Sequence, residues 1–189
     1  ARYSNTSIVS LSGMARMRLA LELIRENSGG ENCSKIDIME KDLIALDCLV
    51  TELLDFNKLR RESKIKRETI DLEEVCSEMI QVESWSRDDV DIKLRGSGSC
   101  HGDISLLSRA VGNLLRNAVN YAEFRVIVDI STDRSTGKIR IAVADDGCGY
   151  DPVMMNKLGE PFTKGHKSKG TGLGLAIARR IIALHGGKL

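Results

Sequence analysis

Near its first third the chain changes the period of its apolar residues, and that change limits the folds open to it more than any other feature. From Met14 to Asn27 the positions Met14, Met17, Leu21 and Ile24 step by three, four and three, the seam of a helix that packs on another helix. Ser28-Gly29-Gly30 interrupts it. Ile36, Met39, Leu43, Leu46, Val50 and Leu53 then carry the alternating three-four spacing through more than two heptads. Two such helices joined by a short glycine loop make an antiparallel hairpin, and two helices cannot enclose a core alone. Residues 1–60 are therefore expected to form a hairpin that pairs with a second copy as a homodimeric four-helix bundle. Glu40, Asp42, Asp47 and Glu52 would be left to solvent or to partner charges. The alternative, a hairpin packed on the chain's own second half, fits the long seam less well.

The charged stretch Lys58-Leu59-Arg60-Arg61-Glu62-Ser63-Lys64 marks a boundary and hinge, and beyond it the pattern turns α/β. Residues 75–85 and 104–122 read as helices, and 90–94, 125–130 and 139–144 as strands. A turn over Asp133 to Gly137 separates the last two. Twenty-eight basic residues against 27 acidic ones leave a net charge of +1, which provides no field toward nucleic acid or an anionic membrane. No apolar run is long enough to cross a ~30 Å hydrocarbon core, and the first residues carry no signal-peptide pattern. The five cysteines are odd in number and scattered, without a C-x-x-C pair or a set of nearby His ligands. They read as reduced cytosolic thiols rather than as zinc ligands or a disulfide framework.

Three segments carry candidate chemistry. Lys169-Gly170-Thr171-Gly172-Leu173-Gly174-Leu175 runs alternating glycines into an amphipathic helix. Backbone without Cβ can approach a phosphate, and the free N–H groups of a helix start complement its charge. The segment has neither the preceding strand of a dinucleotide fingerprint nor the Lys-Ser/Thr ending of a P-loop. Asp145-Asp146-Gly147-Cys148-Gly149 ends a strand, where a carboxylate can accept from an exocyclic amine such as adenine N6. Taken alone, this is better read as an Asp-Gly turn. Asn113, Asn117 and Tyr121 share one helical face at i, i+4 and i+8. Asparagine is a poor helix former, its amide oxygen suits Mg²⁺, and the tyrosine can stack on a base.

In order and spacing, Asn113-x-x-x-Asn117, Asp145-x-Gly147-x-Gly149, Glu160-Pro161-Phe162 and Gly170-x-Gly172-x-Gly174 resemble the N, G1, F and G2 boxes of histidine-kinase ATP-binding domains. The likeness runs from Ile70 to Leu189, and the family places a dimerisation and phosphotransfer hairpin directly before such a domain. It implies an α+β chain: a helical hairpin in a dimeric four-helix bundle, then, over 61–189, an α/β sandwich of the histidine kinase, gyrase and Hsp90 type. The resemblance makes Asn113 and Asn117 the Mg²⁺ and phosphate contacts, Tyr121 the base-stacking residue and Asp145 the adenine reader, with Gly147 and Gly149 shaping the pocket. Residues 159–169 would be the ATP lid, packed by Phe162, with Lys164, Lys167 or Lys169 reaching phosphate. Gly170, Thr171, Gly172, Leu173, Gly174 and Leu175 would line the phosphate end. ATP and Mg²⁺ are the implied ligands and a response-regulator receiver domain the implied partner. The location would be cytoplasmic, under a parent protein that an inner-membrane anchor can hold.

Two departures stand out. The family's phosphoacceptor histidine and the acid after it align with Ile8 and Val9, with Gly13 in place of a proline and Met14 at the motif's leucine, and no histidine precedes His101. The family also continues past a Gly-Gly-Lys-Leu end with one or two more strands, so truncated C-terminal strands are expected. His101 reads as a turn residue, His185 as part of a helix C-terminal cap, and His166 as an exposed lid residue. The resulting expectation is an ATP-dependent protein-histidine kinase core whose own hairpin is not phosphorylated. The alternatives are a nucleotide-binding pseudokinase or phosphatase without its own acceptor and, less compatible with a dimerising hairpin, an ATPase of gyrase or chaperone type.

Overall fold

The computed structural model describes residues 4–26, 30–61, 65–149, 155, 157–163 and 170–189. It divides into two compact units, Ala1–Lys58 and Leu59–Leu189. No helix among the described residues is long and apolar enough to cross a membrane.

The first unit holds helix α1 (Ser4–Glu26) and most of α2 (Gly30–Arg61). Arg25, in the last turn of α1, pairs with Asp37 and with Glu40 at 2.9 Å, and Arg18, two turns earlier, meets Asp47 at 3.7 Å. The helices therefore run antiparallel. These pairs correct the expected fate of Glu40 and Asp47: arginines of the same hairpin, not only solvent or a partner, face them. One oxygen of Asp47, Oδ1, is buried without a hydrogen bond among the described residues. Along the apolar seam Ile36 and Leu43 are buried, whereas Met17, Ile24, Met39 and Leu46 are each more than half exposed. The side chains of Ile8, Val9 and Met14 lie outside those described.

The second unit runs β1 (Glu68–Asp71), α3 (Leu72–Ser84), β2 (Asp91–Arg95), β3 (Ser99–Gly102), α4 (Ile104–Tyr121), β4 (Arg125–Thr132), β5 (Ile139–Asp145) and α5 (Gly174–Leu184). In the three-stranded sheet β4 is central, parallel to β2 and antiparallel to β5, while β1 and β3 form a separate antiparallel pair. Val126, Val128 and Ile130 alternate inward from β4, as period-two patterning requires. They meet a core built with Val75 and Cys76 of α3 and Leu107, Val111, Leu115 and Val119 of α4. Each large side chain so buried contributes roughly 1.5–3 kcal/mol of transfer free energy. Asp71 caps α3 through the Glu73 amide at 2.9 Å, and Asp103 caps α4 through the Leu106 amide at 3.2 Å.

Sequence patterning misses β1 and β3, because Glu-Thr-Ile-Asp and Ser-Cys-His-Gly are four-residue strands without an apolar run. His101 consequently belongs to β3 rather than to a turn, its Nδ1 3.2 Å from Thr69 Oγ1 on β1. The helix expected from Val75 starts three residues earlier, at the Asp71 cap.

Candidate functional site

α4 is the base of the site. Its apolar face enters the core, and the neighbouring stripe of Asn113, Asn117 and Tyr121 is only partly covered. Arg87 holds the end of the helix: its guanidinium donates to the carbonyls of Val119 at 3.4 Å and Ala122 at 3.1 Å. A cation there satisfies terminal carbonyls and complements the helix dipole. Arg116 faces the other way, donating at 2.8 Å to Glu83, the one buried charged residue among those described.

β5 delivers the second element. Asp145 Oδ1 accepts from the Gly147 amide at 3.0 Å, turning the chain sharply after the strand. A Cβ on Gly147 would sit 2.1 Å from the Tyr121 carbonyl oxygen, so only glycine lets this turn lie against the end of α4. Gly149 has φ +71°, and no described residue would lie within 4 Å of a Cβ there. Asp146, named in that segment without a role of its own, fastens the arrangement. Its Oδ1 accepts from the amides of Glu123, Phe124 and Arg125 at 2.9, 3.1 and 3.1 Å. The amide of Arg125 leads in holding its carboxyl below the usual carboxylate range, with those of Phe124 and Glu123 acting in the same direction. The second acid of the Asp-Asp pair was the available signal.

The third element is two crossing backbone segments. The Phe162 amide donates to the Gly172 carbonyl at 3.0 Å, and Phe162 has φ +64°, a conformation uncommon outside glycine. Gly172, at φ +78°, approaches so closely that a Cβ would lie 2.9 Å from the Thr163 carbonyl oxygen. The Phe162 ring, expected to pack a lid, is 55% exposed; Lys164, His166, Lys167 and Lys169 lie outside the described residues. Gly170 has no described residue within 4 Å of where a Cβ would sit, Thr171 Oγ1 accepts from the Leu173 amide at 3.2 Å, and Leu173 is fully buried as the anchor of α5. No side chain among the described residues caps α5, and the N–H groups of a helix start suit an anion. Gly174 brings that helix start to α4: its hypothetical Cβ would be 3.7 Å from Asn113 Oδ1. Asn113 Nδ2 is buried and has no hydrogen-bond partner among the described residues, a costly state for an isolated amide.

The structure thus brings Asn113, Gly174 and the start of α5 together, and Tyr121, Asp145 and Gly147 together. An uncapped helix start, an orphaned amide and glycine-shaped turns together make a site suited to an anion. Residues 102–189 match the family model for histidine kinase-, DNA gyrase B- and HSP90-like ATPases. The chain is similar to sensor histidine kinases. It is 32% identical over 151 residues to the sensor-like histidine kinase SenX3 of Mycobacterium tuberculosis, covering 75% of this chain and 37% of the relative. It is 27% identical over 184 residues to the sensor histidine kinase CpxA of Escherichia coli, covering 92% and 39%. The solved structure of the mycobacterial sensor histidine kinase MprB superposes with a TM-score of 0.60 at 29% identity, over 63% of this chain and 82% of that one. The chain spans about two fifths of the length of these curated relatives.

Proposed function

We propose that this chain is the kinase core of a two-component sensor: it binds Mg-ATP and presents the γ-phosphoryl group for transfer to a histidine, from which a response-regulator receiver domain would take it. The observation that carries the reading is the pairing of the uncapped α5 start with the orphaned Asn113 amide. Both are groups whose partner would be phosphate oxygen. Asn113 and Asn117 would offer amide oxygens to Mg²⁺, an ion that keeps several waters and shares phosphate oxygens. That suits a site where no cluster of three acidic, histidine or cysteine ligands exists among the described residues. The ion, when bound, would neutralise charge developing on the phosphates. Asp145, with Oδ1 committed to Gly147, would direct its other oxygen to the adenine amine. Tyr121 would stack on the base, and Phe162, Gly170, Thr171, Gly172 and Leu175 would border the phosphates with Lys164, Lys167 or Lys169. Residues 1–60 would serve as the dimerising hairpin and 61–189 as the catalytic domain.

Binding of a fluorescent ATP analogue with and without Mg²⁺ tests the site. Asn117→Ala removes a metal ligand and Asp145→Ala leaves the amine unpaired, each at about 1–3 kcal/mol. Unchanged affinity in both variants would sink the assignment. The absence of any histidine before His101 favours a second reading, a nucleotide-binding relative without its own acceptor. With γ-labelled ATP this chain alone is expected to gain no acid-labile, base-stable phosphate, while an intact homologous hairpin in a mixed dimer is expected to gain it. Label on neither chain, with nucleotide still bound, would select the non-catalytic reading.

A further inference from the structure

The function proposed above leaves His185 unused, although the geometry around it is specific. His185 ends α5 in a cap where Gly186 takes φ +77°, the Gly186 amide donates to the Ala183 carbonyl at 3.0 Å and the Gly187 amide to the Ile182 carbonyl at 2.9 Å. Its imidazole reaches in two directions. Nδ1 lies 2.8 Å from the Ile181 carbonyl oxygen, and Nε2 lies 3.0 Å from the backbone nitrogen of Asp103, the residue that caps α4. A carbonyl can only accept and a backbone N–H can only donate, so Nδ1 carries the proton and Nε2 is bare. The ring is packed over Gly102, where a Cβ would lie 2.6 Å from Cδ2 and 2.8 Å from Nε2.

This clasp has consequences at the other end of both helices. α5 packs along α4, with its first residue beside Asn113 and its last turn tied to the α4 cap. We propose that His185 is a positioning residue for the nucleotide site: as a neutral Nδ1–H imidazole it clasps the end of α5 to the start of α4, and protonation releases the clasp. A proton on Nε2 would face the Asp103 N–H, and two donors cannot share that contact. The C-terminal carbonyls of α5 favour a cation, so the clasp and the charged ring compete. The titratable groups on the surrounding segments are Asp103, whose Oδ1 is held by the Leu106 amide, and Glu68, opposite Gly102 in the β1–β3 register. Lys66 pairs with Glu68 at 2.8 Å, His101 is bonded to Thr69, and Lys188 follows the cap. The clasp stands on geometry alone, while its role in positioning rests on the nucleotide reading.

Nitrogen NMR of the whole chain, amide exchange at Asp103 and affinity for the fluorescent ATP analogue, all followed from pH 8 to 5 on a ~0.5-unit grid, test the proposal. At neutral pH the His185 ring should show Nδ1–H with bare Nε2, and the Asp103 amide should exchange slowly. As the ring gains its second proton, that protection and the affinity should fall in step, the affinity by roughly three- to tenfold. His185→Gln keeps an acceptor that gains no proton, so its affinity should depend less on pH than that of the wild type. His101, His166 and the analogue's phosphates are common to both proteins, and the difference reads His185. An Nε2–H tautomer at neutral pH, protection of Asp103 indifferent to the ring's charge, or identical pH profiles would overturn the proposal. A chain that binds no nucleotide at any pH would remove the positioning role, and the ring and amide data would still decide the clasp.

Discussion

Single atoms decide whether the turn after β5 can form. At Gly147 a methyl group would need the space of the Tyr121 carbonyl oxygen, 2.1 Å away, and that oxygen belongs to backbone that cannot swing aside. Gly147→Ala is expected to destabilise the second unit by about 1–3 kcal/mol, the usual range for an overpacked site, and to weaken nucleotide binding. Gly149→Ala meets no neighbour among the described residues and bears the left-handed backbone, roughly 1–2 kcal/mol. Urea unfolding of both variants, with binding measured on the folded protein, separates the two causes. Equal binding by Gly147→Ala and wild type would show that the turn does not shape the site. Cys76 offers a contrast in chemistry: burial pushes its thiol up to about 11, whereas Cys148 is exposed between the two glycines. A neutral alkylating reagent at pH 7.5 should therefore label Cys148 and spare Cys76 in the folded chain, since the thiolate is the nucleophile. Peptide mapping that found Cys76 labelled first would contradict this packing.

Elements are joined by short connections whose polar side chains do the fastening. The β4–β5 turn closes on Asp133, whose Oδ1 accepts from the Ser135 amide at 2.8 Å and from the Ser135 hydroxyl at 2.6 Å; Oδ2 takes the Thr136 hydroxyl at 2.8 Å. Led by the Ser135 hydroxyl, these donors lower its carboxyl to about 2. A depressed folded-state value means that the stabilisation is complete above the ordinary carboxylate range and fades as pH falls through about 2. Asp133→Ala should therefore melt below the wild type at pH 6, and the gap should narrow as the pH approaches 2.5. A gap independent of pH would mean that the carboxylate charge is not what holds the turn. Asp146 fastens β5 to the α4–β4 junction by the same logic, through three backbone amides instead of hydroxyls.

The molecule as a whole divides into two units with different unmet needs. In the first, Met17 and Ile24 of α1 and Met39 and Leu46 of α2 remain more than half exposed, and exposed apolar pairs seven residues apart on each helix call for another surface to cover them. A homodimer through this hairpin is expected. Leu46→Glu should dissociate it, because an unpaired charge inside a bundle is strongly disfavoured. Sedimentation at micromolar concentration checks this, and a monomeric wild type would refute the bundle. The period of apolar residues was enough to read both hairpin helices, α4, β4 and β5, because the repeat of each is written locally. Asn113, Asn117, Asp145 and the glycines were legible for a related reason: their residue types are poor choices for the elements they occupy. What the sequence left unwritten is cooperation between distant segments. The pairing of β1 with β3, Arg87 on the end of α4, Asp146 on three amides and the bond from Asp103 to His185, 82 positions apart, depend on which backbone groups the fold leaves without partners. A lone polar residue acquires its meaning from such a group, and only tertiary structure brings the two together.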